Sequence, residues 1–313
     1  MAELLNRSPV ETDEFLVELE QAAVNMAWEA GKMLTSHFSG PITVEYKDER
    51  QSDPVTDADR ESQSFLINKI KESFPEHSVI GEEDIDVSDE PVSEFAWVLD
   101  PLDGTRNFSQ GLPIFACSIG IMQRGKPVVG AIFIPWPGTD GVVLHAHSGG
   151  GAFKDGLRST SFDRRLHIPA ASLPDARRLI GLSGGFSYGF RFDEPMKGKV
   201  GETRQIGSIA YELSMTATGV YQYSALTGSL SIWDVAAGSI IVQEAGGQVL
   251  IGGSKSEPIS WRPLRAFSDE WETNPPSPSE LHSWHKPMLF GSPNVVKSVA
   301  SAIRPRRRLS RQV

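Results

Sequence analysis

The sequence predicts a layered α/β fold, and three observations carry that prediction. At 313 residues the chain is long enough to bury a large core, as one domain or two. Its first half strings short apolar strands between tight turns. Its second half alternates strand and helix patterns, which is how sheets and helices come to lie in layers. A hydrophobic content of 39% and a charged content of 22% are those of an ordinary globular protein.

The elements follow in order. Residues 1–11 read as a loose leader, and Thr12-Asp13-Glu14 opens a helix with acids in its first turn, as the helix dipole favours. Phe15, Leu16, Leu19, Ala22, Ala23, Met26, Ala30, Met33 and Leu34 recur at helical spacing along it. Gly40-Pro41 ends the region, and Ile42 to Lys47 alternates like a strand before a polar loop, Asp48 to Asp53. A second helix begins at Thr56-Asp57-Ala58-Asp59 and runs to about Ser73; Ser78 to Gly81 is a short strand leading into Glu82-Glu83-Asp84. Residues 85–94 form a polar linker. Phe115 to Gln123, Pro127 to Pro135 and Gly141 to His147 are three strands joined by turns at Arg124-Gly125 and Pro137-Gly138. Gly149-Gly150-Gly151 and Lys154-Asp155-Gly156 suggest a further hairpin rather than a nucleotide loop, since no strand-to-helix context surrounds the glycines.

Beyond this the pattern changes. Arg178 to Leu182 is a strand and Ser183-Gly184-Gly185 a loop. Gly207-Ser208 precedes a helix from Ile209 to Ala217, followed by a strand Tyr221 to Ala225, a helix Asp234 to Ala245 and a strand Gln248 to Ile251. Residues 254–285 are rich in proline, serine and tryptophan and give no assignable pattern. The basic end from Arg304 reads as a disordered tail.

Composition excludes several functions. A net charge of -10 argues against general nucleic-acid binding. It would also repel an anionic substrate unless bound cations reverse the local field. The single cysteine, Cys117, lies in an apolar run and reads as a small core residue, so no disulfide can form within the chain and no cysteine-based zinc site exists. The N-terminus is acidic and lacks the apolar run of a secretory signal, and no stretch approaches membrane-spanning length. The expected location is the cytoplasm, with no membrane partner.

The chemistry concentrates in Trp97 to Phe108. An apolar strand, Trp97-Val98-Leu99, runs into Asp100 and Asp103, with Pro101 between them to break the ladder and Gly104-Thr105 behind. Carboxylates at the end of a buried strand are costly unless compensated, and a divalent cation is the simplest compensator. Carboxylate and carbonyl oxygens are also the donors magnesium prefers. Glu82, Asp234 and Asp59 stand at other element boundaries. Taken singly, each has a plainer reading. Thr56-x-x-Asp59 is a capping-box pattern, Asp234 a helix cap, Glu82 a solvated loop acid, and Asp100-x-x-Asp103 a turn. His145 and His147 share one strand face; they form a metal pair or, with no third ligand in view, face solvent.

In combination the chain resembles the inositol monophosphatase family of magnesium-dependent, lithium-sensitive phosphatases. The resemblance rests on Asp53-Pro54-Val55-Thr56-Asp57-Ala58-Asp59, Ile80-Gly81-Glu82-Glu83, Trp97 to Phe108, and Trp233 to Gly238 followed by Glu244-Ala245-Gly246-Gly247. It implies a layered α-β-α-β-α sandwich of the inositol monophosphatase and fructose-1,6-bisphosphatase type. One phosphatase domain would span 12–303, with subdomains 12–156 and 157–303 and flexible tails at 1–11 and 304–313. It also implies roughly two or three Mg2+ ions held by Glu82, Asp100, Asp103, Asp234 and the Leu102 carbonyl. Thr105 would orient the attacking water with Asp59 behind it, and Glu82 would share in catalysis as a metal ligand. Gly104 and Thr105 amides would hold phosphate oxygens.

On the substrate side the matching residues are Asp103, Ser183, Gly207, Ser208, Ile209, Thr227 and Asp234. Inositol-selective members carry an acid where this chain has Thr227, and often a histidine where it has Ser231; a family lysine corresponds to Lys47 across a loop that is longer here. The implied substrate is a small phosphate monoester: inositol monophosphate or a related sugar or polyol phosphate. Fructose 1,6-bisphosphate, histidinol phosphate and 3′-phosphoadenosine 5′-phosphate are alternatives. A non-catalytic binding or regulatory protein on the same fold is the reading of a different class. Family members are commonly homodimers.

Overall fold

A computed structural model describes residues 9–40, 43–46, 54–83, 90–138, 140–155, 165–228, 230–253, 259–268, 271 and 273–306. Helix α1 (Pro9–Phe38) leads to the antiparallel pair β1 (Val44–Tyr46) and β2 (Pro54–Thr56), then to α2 (Asp57–Ser73). Next come β3 (Ser78–Gly81), β4 (Phe95–Asp103), the short helix α3 (Thr105–Ser109), β5 (Ala116–Gln123), β6 (Lys126–Ile134), β7 (Val142–His147) and β8 (Gly151–Asp155). After these lie β9 (Leu179–Leu182), α4 (Phe186–Gly189), β10 (Phe190–Phe192), β11 (Glu202–Arg204), α5 (Ile209–Ala217), β12 (Tyr221–Leu226) and α6 (Ile232–Glu244). The chain closes with β13 (Gln248–Gly252), β14 (Trp261–Pro263), α7 (Pro278–His282), β15 (Met288–Gly291), α8 (Pro293–Ala302) and β16 (Ile303–Pro305).

The first sheet runs in the order β3-β4-β5-β6-β7-β8, an antiparallel meander with β3 added parallel to β4. The second runs β11-β9-β12-β15-β13-β14, parallel on one side of β12 and antiparallel on the other. Helices α1 and α2 cover the outer face of the first sheet, α5 and α6 fill the space between the sheets, and α8 covers the far face of the second. This is the five-layer α-β-α-β-α order that the resemblance implies.

Local sequence explains the layering. β5 and β6 are buried on both faces, so they read as near-continuous apolar runs. α6 is buried nearly all round through Ile232, Val235, Ala236, Ala237, Ile240, Ile241 and Val242, as a helix between two sheets must be. It also lies very close to the first sheet. A Cβ on Gly120 would fall 2.7 Å from Ala236 Cβ, and one on Gly130 would fall 2.5 Å from the Ala237 carbonyl. Only glycine permits that approach.

Several expectations need correction. α1 begins at Pro9, three residues before the expected start at Thr12. Pro101 interrupts the β4–β5 ladder as expected, by a register shift between Asp100 and Asp103, but the strand itself continues to Asp103. The basic end is not free from Arg304, since β16 pairs with β10 and Arg304 Nε donates to Asp193 at 2.9 Å. His145 and His147 do not face solvent. Their Nδ1 atoms donate to the Glu20 carboxylate of α1 at 2.8 and 2.6 Å, burying the pair between helix and sheet. Gly149 to Gly151 is the expected β7–β8 turn; the Gly149 and Gly151 N–H groups donate to Glu244 at 2.8 and 2.9 Å. Cys117 is a buried core residue, as expected, and burial pushes its thiol up to about 12.

Candidate active site

β4 is buried along its whole length, so it delivers Asp100 and Asp103 into the interior at its carboxyl end. The Leu102 N–H donates to Asp100 at 3.2 Å, and Ser62 Oγ donates to the Pro101 carbonyl at 3.1 Å, fixing the irregular turn. Glu82 lies just past β3, where its N–H donates to Leu99 at 3.2 Å. Asp234 sits in the first turn of α6 and accepts from the Ser231 N–H at 2.7 Å. The cap of α6 is therefore Ser231, not the Asp234 that the plainer sequence reading expects; Asp234 is its reciprocal partner at the third helical position.

Burial pushes the Asp100 carboxyl well above its ordinary range, and repulsion from Glu82, Asp103 and Asp234 adds to it. Asp234 is raised by burial and by Asp103, against the opposing Ser231 N–H. The acids expected from sequence therefore lie close enough for Glu82, Asp103 and Asp234 to disfavour the charge on Asp100, and for Asp103 and Glu82 to disfavour that on Asp234. Among the described residues, no group of three or more histidine, cysteine, aspartate or glutamate side chains is drawn in to metal-holding spacing.

Thr105 opens α3 behind Gly104, whose φ of 92° is left-handed; a Cβ there would fall 2.9 Å from the Ile114 carbonyl. The Thr105 hydroxyl lies 3.0 Å from both Asp59 Oδ1 and the Leu102 carbonyl. The other Asp59 oxygen accepts from the Thr56 N–H at 2.8 Å and the Thr56 hydroxyl at 2.5 Å, closing the start of α2. Asp59 thus caps a helix with one oxygen and reaches Thr105 with the other. Burial raises its carboxyl, and the Thr56 and Thr105 donors temper the rise.

The opposite wall comes from α5. Ser208 Oγ and the Ala210 N–H both donate to Asp103 Oδ2, at 2.7 and 2.5 Å, so the helix start is engaged by the first sheet's own aspartate. Gly207 precedes it, and Ile209 is half-buried behind. Thr227 and Ser183 stand together, the Thr227 N–H donating to Ser183 Oγ at 3.0 Å. Lys47 and Asp53 lie outside the described residues.

Two residues beside these are not among those expected from sequence. Asn107 Nδ2 donates to the Ile114 and Ile206 carbonyls at 2.8 and 2.7 Å, tying α3 to the approach to α5. Glu212 accepts from the Ile206 N–H at 3.1 Å, and burial pushes its carboxyl up to about 8. Asn107 lies within the Trp97–Phe108 stretch, and Glu212 is the one charged residue in the apolar run from Ile209 to Ala217, which are the sequence signals that mark them.

The model of the inositol monophosphatase family matches residues 16–269. The inositol-1-monophosphatase of Bacillus subtilis is 32% identical over 235 residues, covering 74% of this chain and 84% of that protein. The Nus factor SuhB of Escherichia coli is 33% identical over 232 residues, covering 72% and 82%. The crystal structure of the extragenic suppressor protein suhB from Bartonella henselae superposes with a TM-score of 0.67 at 24% identity over 91% of this chain and 97% of that one, and shows the shared fold. No described helix is long and apolar enough to cross a membrane. The chain therefore belongs to the inositol monophosphatase family and is a phosphatase that hydrolyses phosphate monoesters.

Proposed function

We propose that this chain is a Mg2+-dependent phosphomonoesterase that hydrolyses a small sugar or polyol phosphate, inositol monophosphate among them. The observation that carries the reading is the meeting of Glu82, Asp100, Asp103 and Asp234 beside the Thr105–Asp59 pair. An all-oxygen, mostly anionic donor set suits a hard divalent cation, and mutually repelling buried carboxylates are what such a cation would offset. Glu82, Asp100 and the Leu102 carbonyl would hold one ion; Asp100, Asp103 and Asp234 would share another. Bound there, the ions would lower the pKa of water, neutralise the leaving oxygen and hold the phosphoryl group in line.

The chain's own residues do the rest. Thr105 gives its hydroxyl proton toward Asp59, which leaves its lone pairs to accept a proton from the attacking water. Asp59, with burial raising its carboxyl, is the better proton acceptor for that rise. Water oxygen bonds to phosphorus as the ester P–O bond breaks. One water proton passes through Thr105 to Asp59, and the other stays on the new phosphate hydroxyl. The leaving oxygen takes a proton from solvent water and departs as alcohol, and Asp59 then returns its proton to solvent. Gly104 and Thr105 offer backbone N–H groups to the phosphoryl oxygens. Thr227 and Ser183 make an uncharged wall for the alcohol part, so nothing there demands the carboxylate-to-hydroxyl contact of inositol-selective relatives.

The test is inorganic phosphate release across inositol, other sugar and polyol, fructose 1,6-bis-, histidinol and nucleotide 3′-phosphates, with Mg2+, EDTA or Li+. Release from a polyol phosphate that needs Mg2+, falls with Li+, and is abolished by EDTA and by Asp103→Asn supports the reading. Silence across the panel with Mg2+ present overturns it. That silence would favour the second reading, a regulatory protein on this fold, to which the name Nus factor borne by the Escherichia coli relative lends support.

A further inference from the structure

The stretch from Thr273 to Lys286 lies beyond the region matched by the family model, yet it reaches two of the acid-bearing loops. The Val92 N–H donates to the Pro276 carbonyl at 2.9 Å, which ties this stretch to the approach to β4. α7 is closed by a reciprocal cap between Ser277 and Glu280. Leu281 and Trp284 are buried in the core between the two sheets, and Trp284 Nε1 donates to the Phe267 carbonyl at 3.1 Å. His285 Nδ1 bonds the Leu230 carbonyl at 2.8 Å, just before the Ser231 cap of α6.

His282 makes the contact that matters. Its Nε2 lies 3.0 Å from the Gly81 carbonyl, and since a carbonyl only accepts, Nε2 carries the hydrogen. The Gly81 carbonyl and the Glu82 N–H belong to one peptide plane. That plane is held at both ends, by His282 on one side and by the Leu99 carbonyl at 3.2 Å on the other. The same imidazole packs on the Trp233 ring, with centroids 4.6 Å apart and planes at 57°. Trp233 is the residue before Asp234. One side chain therefore bears on Glu82 and Asp234, which lie far apart in sequence and come from different layers.

On the metal reading above, we propose that His282 is a positioning residue that sets the spacing of Glu82 and Asp234 for divalent-cation binding, acting through the Gly81–Glu82 peptide and the Trp233 ring. Groups one bond removed from metal ligands typically change affinity by about 10–100-fold when lost. His282 acts through a backbone plane rather than on a ligand atom, so the lower end, about tenfold, is expected for His282→Ala.

The experiment measures Mn2+ binding by electron paramagnetic resonance, alongside melting temperature, kcat and KM, for wild type, His282→Ala, His282→Gln and Leu281→Ala. Gln keeps an N–H donor and should restore affinity to within about threefold of wild type. Leu281 is buried in the same stretch with no bond to either acid loop; Leu281→Ala should lower the melting temperature and leave Mn2+ affinity unchanged. Wild-type Mn2+ affinity in His282→Ala overturns the inference, as does an equal loss in Leu281→Ala, which would make the effect general loosening. A wild-type chain that binds no Mn2+ overturns the metal reading itself.

Discussion

Replacing Asp59 with asparagine separates its two jobs. One Asp59 oxygen closes α2 through the Thr56 N–H and hydroxyl, and the other accepts from Thr105. In Asp59→Asn the amide oxygen can keep both Thr56 bonds, while the NH2 group faces Thr105. Two donors cannot share that contact, so the Thr105 hydroxyl turns to the Leu102 carbonyl, already 3.0 Å away. Two charge-assisted bonds become neutral and the third is exchanged for a neutral one to the Leu102 carbonyl, at about 1 kcal/mol each. Relief from burying a carboxylate offsets part of this, so net stability should change by no more than about 2 kcal/mol. A chain of this size should then melt within about 5 °C of wild type.

Activity should behave differently, because the acceptor behind Thr105 is gone. A positioned general base contributes about 100- to 10,000-fold, or roughly 3–5 kcal/mol of barrier. The assay is phosphate release from the best substrate of the panel at saturating Mg2+, with thermal melting on the same samples. Release within about threefold of wild type would refute the role given to Asp59, since threefold is far below any general-base contribution. A melting temperature more than about 10 °C lower would instead show that the cap, not the Thr105 contact, dominates.

Three further outcomes follow from the packing. Gly120→Ala would place a methyl 2.7 Å from Ala236 Cβ and push α6, with Asp234, off the sheet; the expected loss is about 1–3 kcal/mol of stability in denaturant titration, with a fall in kcat. Glu20→Ala leaves two buried imidazole nitrogens without their carboxylate, at about 1–3 kcal/mol each by the same titration at pH 6. Burial raises the Glu20 carboxyl, but the His145 and His147 bonds outweigh it and hold it below its ordinary 4.5. A depressed folded value means this stabilisation is complete above pH 4.5 and is lost as pH falls through the lower folded value, so the gap between wild type and variant should narrow in acid. Finally, Mg2+ at about a hundred times its dissociation constant should stabilise the wild type by about 2.7 kcal/mol, read as a melting shift that EDTA reverses.

Local chemistry made part of this fold legible. Gly207-Ser208 followed by Ile209 to Ala217 matches α5 to the residue, because an N-cap and a helical run are written in adjacent positions. Glu82, Asp100, Asp103 and Asp234 stood out because charge at the end of an apolar run is conspicuous. β15 is not legible in the sequence: Met288 to Gly291 is a short segment buried throughout, which carries no alternation, and its place between β12 and β13 is fixed by partners distant in sequence. β16 hid in a basic stretch because its pairing with β10 and the Arg304–Asp193 contact are tertiary. Glu20 was one polar residue among many on α1 until the sheet brought two histidines to it. His282 was likewise hidden, since nothing near it in sequence names Gly81 or Trp233 as its neighbour.

The middle layer has a consequence for how activity arises in time. Asp100 and Asp103 come from the first sheet, while Asp234 and the Ser208 cap of Asp103 come from the helices between the sheets. No contiguous fragment of the first half holds all four of the acids proposed to bind metal. During refolding, contacts of such long sequence separation close late, after the local hairpins and helices have formed. Catalytic competence should then return in the slowest folding phase, behind the recovery of secondary structure, and the first turnover would mark the moment when the two halves dock.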